Sequence, residues 1–154
     1  AAWERAGYQI VGGPGNLGRG QAQEVVAGQL PVATIDEVKN FDGVLIDTRE
    51  ANRYAGRKER LDLKAGHIPG AVSVPTREIL NPDNTFRPAE EIRATFEKVG
   101  VTDPNNVIVY SGSGVHSAQA IAAMHHAGLP GAALYLGGWS QWCADRNNPV
   151  ERSD

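Results

Sequence analysis

The chain has 154 residues with 41% hydrophobic and 21% charged side chains, enough apolar material for one folded domain and too much for global disorder. Its formal net charge of −3, with no basic block, argues against a dedicated nucleic-acid or anionic-membrane binder. The single cysteine, Cys143, excludes an internal disulfide framework and any CxxC metal or redox motif, and no apolar run approaches the roughly 20 residues of a membrane span.

The first eight residues carry no Met and no charged stretch leading into an apolar one; they read as a helix end closed by Gly7. Residues 12–20 then hold five glycines and a proline, the composition of a linker or extended loop. A formal GxGxxG runs from Gly13 to Gly18, with Asp36 near the spacing of a ribose-binding acid. It reads better as a by-product of glycine content, because the strand candidate before it is very short and Pro31 leaves little room for a crossover helix.

From Leu30 onward strand and helix alternate. Residues 30–33 predict a short strand. Thr34 then caps a helix running to about Asn40, with Glu37 completing a capping box. Residues 44–47 form an apolar run ending in an acid, the pattern of a buried parallel strand. Residues 71–74 are a third strand, bracketed by Pro69-Gly70 and Pro75. A helix over 88–99 has Pro at its start and Gly100 at its end. Residues 107–110 are the strongest strand, 117–127 a helix closed by Gly128, 133–136 a fifth strand and 139–144 a last short helix. The class is α/β: a three-layer domain in which a five-stranded parallel sheet is covered by helices on both faces.

Ligands of such sheets lie beyond the carboxyl ends of the strands. Those ends carry Asp47-Thr48-Arg49, Pro75-Thr76-Arg77 and the segment from Ser111 to His116, Ser-Gly-Ser-Gly-Val-His. In the last, a strand enters a loop with two glycines and a helix follows at once. Glycine permits positive φ, so successive N–H groups can converge on an anion at the positive end of the helix. A βα turn that is merely tight would use the same glycines.

Several motifs in order resemble the rhodanese-type sulfurtransferases. Asp47-Thr48-Arg49 is similar to that family's D-x-R. Gly66-His67-Ile68-Pro69-Gly70-Ala71 matches its GHIPGA signature, and Gly137-Gly138-Trp139 its closing glycine pair and tryptophan region. The loop from Ser111 to His116 stands where the family carries its six-residue active-site loop. The similarity spans about residues 30–150. The loop is nearer the C-G-S-G-V-T form of the 3-mercaptopyruvate enzymes than the basic loop of thiosulfate-preferring relatives. That likeness implies a donor carboxylate held by two arginines, matching Arg53 and Arg60, with Arg57 a competitor for the second place. A guanidinium fork suits a carboxylate.

Ser111 departs from the family, whose nucleophile at this position is a cysteine that carries the transferred sulfur as a persulfide. A hydroxyl is far less acidic than a thiol and needs an activating base. His116, at the family's threonine position, invites that role but fits the pocket rim better. The expectation is a domain that moves sulfane sulfur from 3-mercaptopyruvate or thiosulfate to cyanide or a thiol, silent as written because Ser111 replaces the thiol. Two histories fit, an engineered Cys-to-Ser trap or a natural pseudoenzyme. The alternative function is a non-catalytic module that binds an anion or a protein through the same loop.

The remaining candidates read as structure. His67 suits a hydrogen bond at a turn, Cys143 falls in the last helix far from the loop, and Ser113 invites a part in polarising the substrate. Ser117 stands where a C-x5-R phosphatase loop would need arginine. His125 and His126 are adjacent on a helix and point apart, so no metal site is expected, and no cofactor either. Residues 81–87 are an unassigned polar loop. By resemblance, residues 1–28 are the tail of a preceding rhodanese domain plus linker, and 29–154 the catalytic-type domain. The implied partners are a small anionic sulfur donor, a thiol or cyanide acceptor and that N-terminal domain, with no nucleic acid or membrane, in a cytoplasmic setting.

Overall fold

The structure, a computed structural model, describes residues 2–15, 18–21, 24, 26 and 28–153. The glycine-rich stretch and its GxGxxG therefore fall partly outside the described residues, at positions 16 and 17, as does part of the expected linker. At the start, helix α1 (Ala2–Arg5) buries no residue and ends at Gly7, whose φ is 79°.

The capping box forms as the sequence dictates. Thr34 Oγ1 accepts from the Glu37 N–H, the Glu37 carboxylate accepts from the Thr34 N–H, and α2 (Ile35–Lys39) follows. Then come β1 (Val44–Asp47), α3 (Ala51–Tyr54), β2 (Val72–Ser73), a 3-10 turn over Thr76–Ile79, and α4 (Ala89–Lys98) behind its leading Pro88. The chain continues through a second 3-10 turn (Pro104–Asn106), β3 (Val107–Tyr110), α5 (Val115–His126), β4 (Ala133–Tyr135) and α6 (Gly138–Ala144).

The sheet order is β2-β1-β3-β4, all parallel, with Ile46 beside Val72 on one side and Val109 on the other. Among the described residues four strands form rather than five. The expected strand at 30–33 reduces to one parallel bridge, Val32 to Leu134, flanking β4. The Leu134 N–H donates to Pro31 and the Ala33 N–H to Leu134. Pro31 has no N–H to extend the ladder, and Thr34 already starts a helix. The segment therefore has room for a single rung.

Period-two alternation builds the three layers. Val107 and Val109 of β3, with Ile46 of β1, face a core under α4 and α5 that includes Ile92, Phe96, Ala120 and Met124. Ile108 and Tyr110, with Leu45, face the opposite core, where Val38, Trp139 and Trp142 lie. Parallel pairing brings every strand's carboxyl end to one edge, and the expected site residues gather there. No helix among the described residues is long and apolar enough to cross a membrane.

Candidate active site

At the end of β1, Asp47 and Arg49 form a buried ion pair rather than a ligand site. Arg49, 1% exposed, donates through Nη2 and Nε to Asp47 and through Nη2 to the Gly66 carbonyl, and lies 4.6 Å from the centre of the Trp139 ring. One guanidinium thus ties β1 to the Gly66–Ala71 turn and to α6. Burial disfavours its charge, but the bonds and field of Asp47 outweigh that and raise its pKa. The Tyr110 hydroxyl, also buried, accepts the Ile68 N–H, and burial beside Asp47 pushes its pKa far up. His67 is buried and stacked on Tyr54, and its Nδ1–H donates to the Tyr54 carbonyl at 2.8 Å, the structural role its place in a turn predicts.

The loop after β3 is shaped by two glycines. Gly114 has φ 88°, and a Cβ there would stand 2.7 Å from Leu136 Cδ1. Gly138 has φ 55° because its Cα passes against the Ser111 carbonyl, where a Cβ would clash. Behind the loop, the Trp139 and Ser140 N–H groups donate to the carbonyls of Ser111 and Gly112 at 2.7 and 3.2 Å. No side chain caps α5, so the amides of its first turn remain available to an anion.

Ser111 is 2% exposed. Its Oγ accepts the Gly114 N–H at 3.0 Å and lies 3.0 Å from Ser117 Oγ, which itself donates to the Gly114 carbonyl. In the hydroxyl pair either oxygen can donate. Among the described residues no His, Asp, Glu or Lys side chain hydrogen-bonds Ser111 Oγ, so no base is placed to take its proton. His116 is exposed and lines a neighbouring cleft with Glu50, Thr76, Arg77, Arg87 and the 81–87 turn; among the described residues no hydrogen bond joins it to Ser111. Ser113 is exposed on the loop rim.

Arg53 projects from α3 beside the loop, its Nη1 3.5 Å from where a Cβ on Gly112 would stand. It shares a cleft of about 350 Å³ with Arg60, Lys58, Glu59 and Leu61. Arg60 is exposed on the same rim, whereas Arg57 lies outside the lining. Arg53 carries two carboxylates, Glu59 at 3.1 Å and Asp62 at 2.6 Å. Glu59 also accepts from the N–H groups of Arg60, Leu61 and Asp62. Burial opposes its charge, but the Leu61 N–H, Arg53 and the Asp62 N–H together hold its pKa below the ordinary value.

The glycine-shaped loop thus lies at the carboxyl edge of a parallel sheet and is held from behind by the first amides of the tryptophan helix. The family model described as a Rhodanese-like domain fits residues 32–145. This chain is a rhodanese-like domain.

The rhodanese-like chain is 34% identical to a probable 3-mercaptopyruvate sulfurtransferase of Pseudomonas aeruginosa, over 100% of its own length and 56% of the relative's. To a putative thiosulfate sulfurtransferase of Mycobacterium tuberculosis it is 35% identical, over 98% and 54%. The chain thus spans about half the length of these curated relatives. Among solved structures, 3-mercaptopyruvate sulfurtransferase from Leishmania major superposes with a TM-score of 0.76 at 33% identity, over 90% of this chain and 40% of that one. The anaerobic ergothioneine biosynthesis enzyme from Chlorobium limicola gives 0.83 at 25%, over 99% and 40%.

Sequence reasoning placed Ser111, the loop and Arg53 together in this rhodanese-like domain. It missed Ser117, the inward partner of Ser111, whose signal was a hydroxyl six residues on, inside the first helical turn. It also missed Glu59 and Asp62, which no periodicity marks. Cys143 is buried in α6, its Sγ 3.7 Å from the Ser140 carbonyl.

Proposed function

We propose that this domain is built for sulfur transfer, with 3-mercaptopyruvate or thiosulfate as donor and cyanide or a thiol as acceptor, and that position 111 is the seat of the sulfur carrier. In that chemistry a cysteine thiolate at 111 attacks the donor's sulfur. The bond from that sulfur to the donor breaks, and its electron pair leaves on pyruvate's enolate, which takes a proton, or on sulfite. The persulfide then yields its outer sulfur to cyanide as thiocyanate, restoring the thiolate.

The observation that carries this reading is the cradle itself: position 111 is buried, receives the Gly114 N–H and sits before the uncapped start of α5, an environment that stabilises an anionic sulfur. Gly112, Ser113, Gly114, Val115 and His116 form the wall, and Arg53, with Arg60 on the rim, receives the donor's carboxylate or sulfonate-like end. With Ser111 the chain binds without turnover, because the hydroxyl is held by Ser117 and the Gly114 N–H and no base among the described residues adjoins it.

The buried pairing of the Ser111 and Ser117 hydroxyls favours a second reading, a non-catalytic module that holds an anionic ligand in the loop. Ser111→Cys separates the two. Assayed for thiocyanate formation from cyanide, the variant gains turnover with 3-mercaptopyruvate or thiosulfate, whereas the Ser111 chain stays at background. A silent Ser111→Cys protein that retains its fold and loop anion binding would support the binding module instead.

A further inference from the structure

We propose that Asp62 occupies part of the donor-carboxylate seat on Arg53 and thereby sets how tightly this site takes carboxylate-bearing sulfur donors. The inference rests on the reading of Arg53 as a donor-binding residue and concerns the edge of its guanidinium that remains open.

The two acids on Arg53 are not equivalent. Glu59 takes the Nε and Nη2 edge, at 3.2 and 3.1 Å, and is itself pinned by three backbone N–H groups. It is a fixed part of the 59–62 turn. The Asp62 side chain has Arg53 as its single hydrogen-bonding partner among the described residues, through Oδ2 to Nη2 at 2.6 Å. The remaining edge, Nη1 with Nη2, has its Nη1 end turned toward Gly112 of the loop. A carboxylate arriving from the loop side can make a two-pronged bond only on that edge. Asp62 already holds the Nη2 proton such a bond requires. Glu59 also lies 3.7 Å from Arg49 Nη1, which is itself paired with Asp47, so three acids face two guanidiniums and the negative excess disfavours an anionic newcomer.

A carboxylate donor must therefore displace Asp62 or accept a single prong from Nη1. The Asp62 carboxylate is displaceable: its backbone N–H is held by Glu59, but the side chain has no second hydrogen-bonding partner among the described residues, and its neighbours Leu61 and Leu63 are more than four-fifths exposed. Asp62 is thus a specificity-determining residue, acting through Arg53 rather than on the reacting atoms. If the contact keeps Arg53 occupied in about nine molecules of ten, apparent affinity is lowered about tenfold, the fraction of open sites setting the loss.

The test titrates pyruvate, which carries the donor's carboxylate without its sulfur, into the Ser111 chain and into Asp62→Asn and Asp62→Ala, with chemical-shift perturbation as the readout. Both variants should bind about tenfold more tightly at unchanged unfolding midpoint, and adding Arg53→Met should erase the gain. Equal or weaker binding by both folded variants would overturn the proposal. In the Ser111→Cys background, Asp62→Asn should lower KM for 3-mercaptopyruvate about as much, with kcat nearly unchanged. If Ser111→Cys transfers no sulfur, the sulfurtransferase reading fails while the pyruvate titration still decides the part played by Asp62. If it transfers sulfur with KM indifferent to Asp62→Asn, the proposal about Asp62 fails and that reading stands.

Discussion

Arg49 and Glu59 show how single charges hold this site in place. Arg49 is buried against Asp47, the Gly66 carbonyl and the Trp139 ring, so removing it strands the Asp47 carboxylate and unties three segments at once. Arg49→Met should cost about 3–5 kcal/mol, the usual penalty for breaking a buried pair from one side; urea denaturation measures it, and a loss below about 1 kcal/mol would contradict the account. Glu59 makes a pH prediction. Its folded pKa lies below the ordinary 4.5, so its contribution is full above that value and is lost as pH falls through the lower, folded pKa. Stability should decline on acidification below about 4.5, and Glu59→Gln should show a shallower decline there. Superimposable slopes for the two proteins would remove Glu59 from its anchoring role.

Among the elements, α6 does most to position the loop, because its N-terminal amides grip the carbonyls of Ser111 and Gly112 from behind. That grip requires Gly138, at φ 55° and pressed against the Ser111 carbonyl. Gly138→Ala should destabilise the domain by about 1–3 kcal/mol through backbone strain alone. In the Ser111→Cys background it should also lower kcat/KM, since the loop must shift; thermal unfolding and steady-state rates test the two effects. An alanine variant with wild-type stability would show that α6 does not clamp the loop.

Elements of this kind differed in how far they could be read ahead. The capping box at Thr34 and Glu37, Pro88 before α4 and Gly128 after α5 are local signals, and each element formed where its signal put it. The segment at 30–33 looked like a strand by composition, but a strand is made by its partner, and Pro31 beside the Thr34 cap left one rung. The short α3 and the 3-10 turn at Thr76–Ile79 carry no periodicity and were not foreseen, although α3 delivers Arg53.

At the scale of the molecule, the alternation of strands and helices along the chain made the layered architecture legible, and the continuous apolar runs of β1 and β3 do offer one face to each core. The motifs at the strand ends marked which edge carries the site. What could not be read was how distant segments meet: Arg49 on Trp139, Ser117 under Ser111, and Glu59 with Asp62 on Arg53 are pairings that only the closed fold creates. These pairings divide the candidate site into a buried half around position 111 and a more exposed half around Arg53, the halves that the proposed function assigns to the sulfur and to its donor. The division implies that the cradle survives replacement of the atom at 111, and that a thiol placed there is functional at once. Intact-mass analysis of Ser111→Cys after incubation with 3-mercaptopyruvate or thiosulfate tests this most directly. The account predicts a gain equal to one sulfur atom, removed by cyanide and absent from the Ser111 chain. An unchanged mass for a folded Ser111→Cys protein with both donors would contradict it.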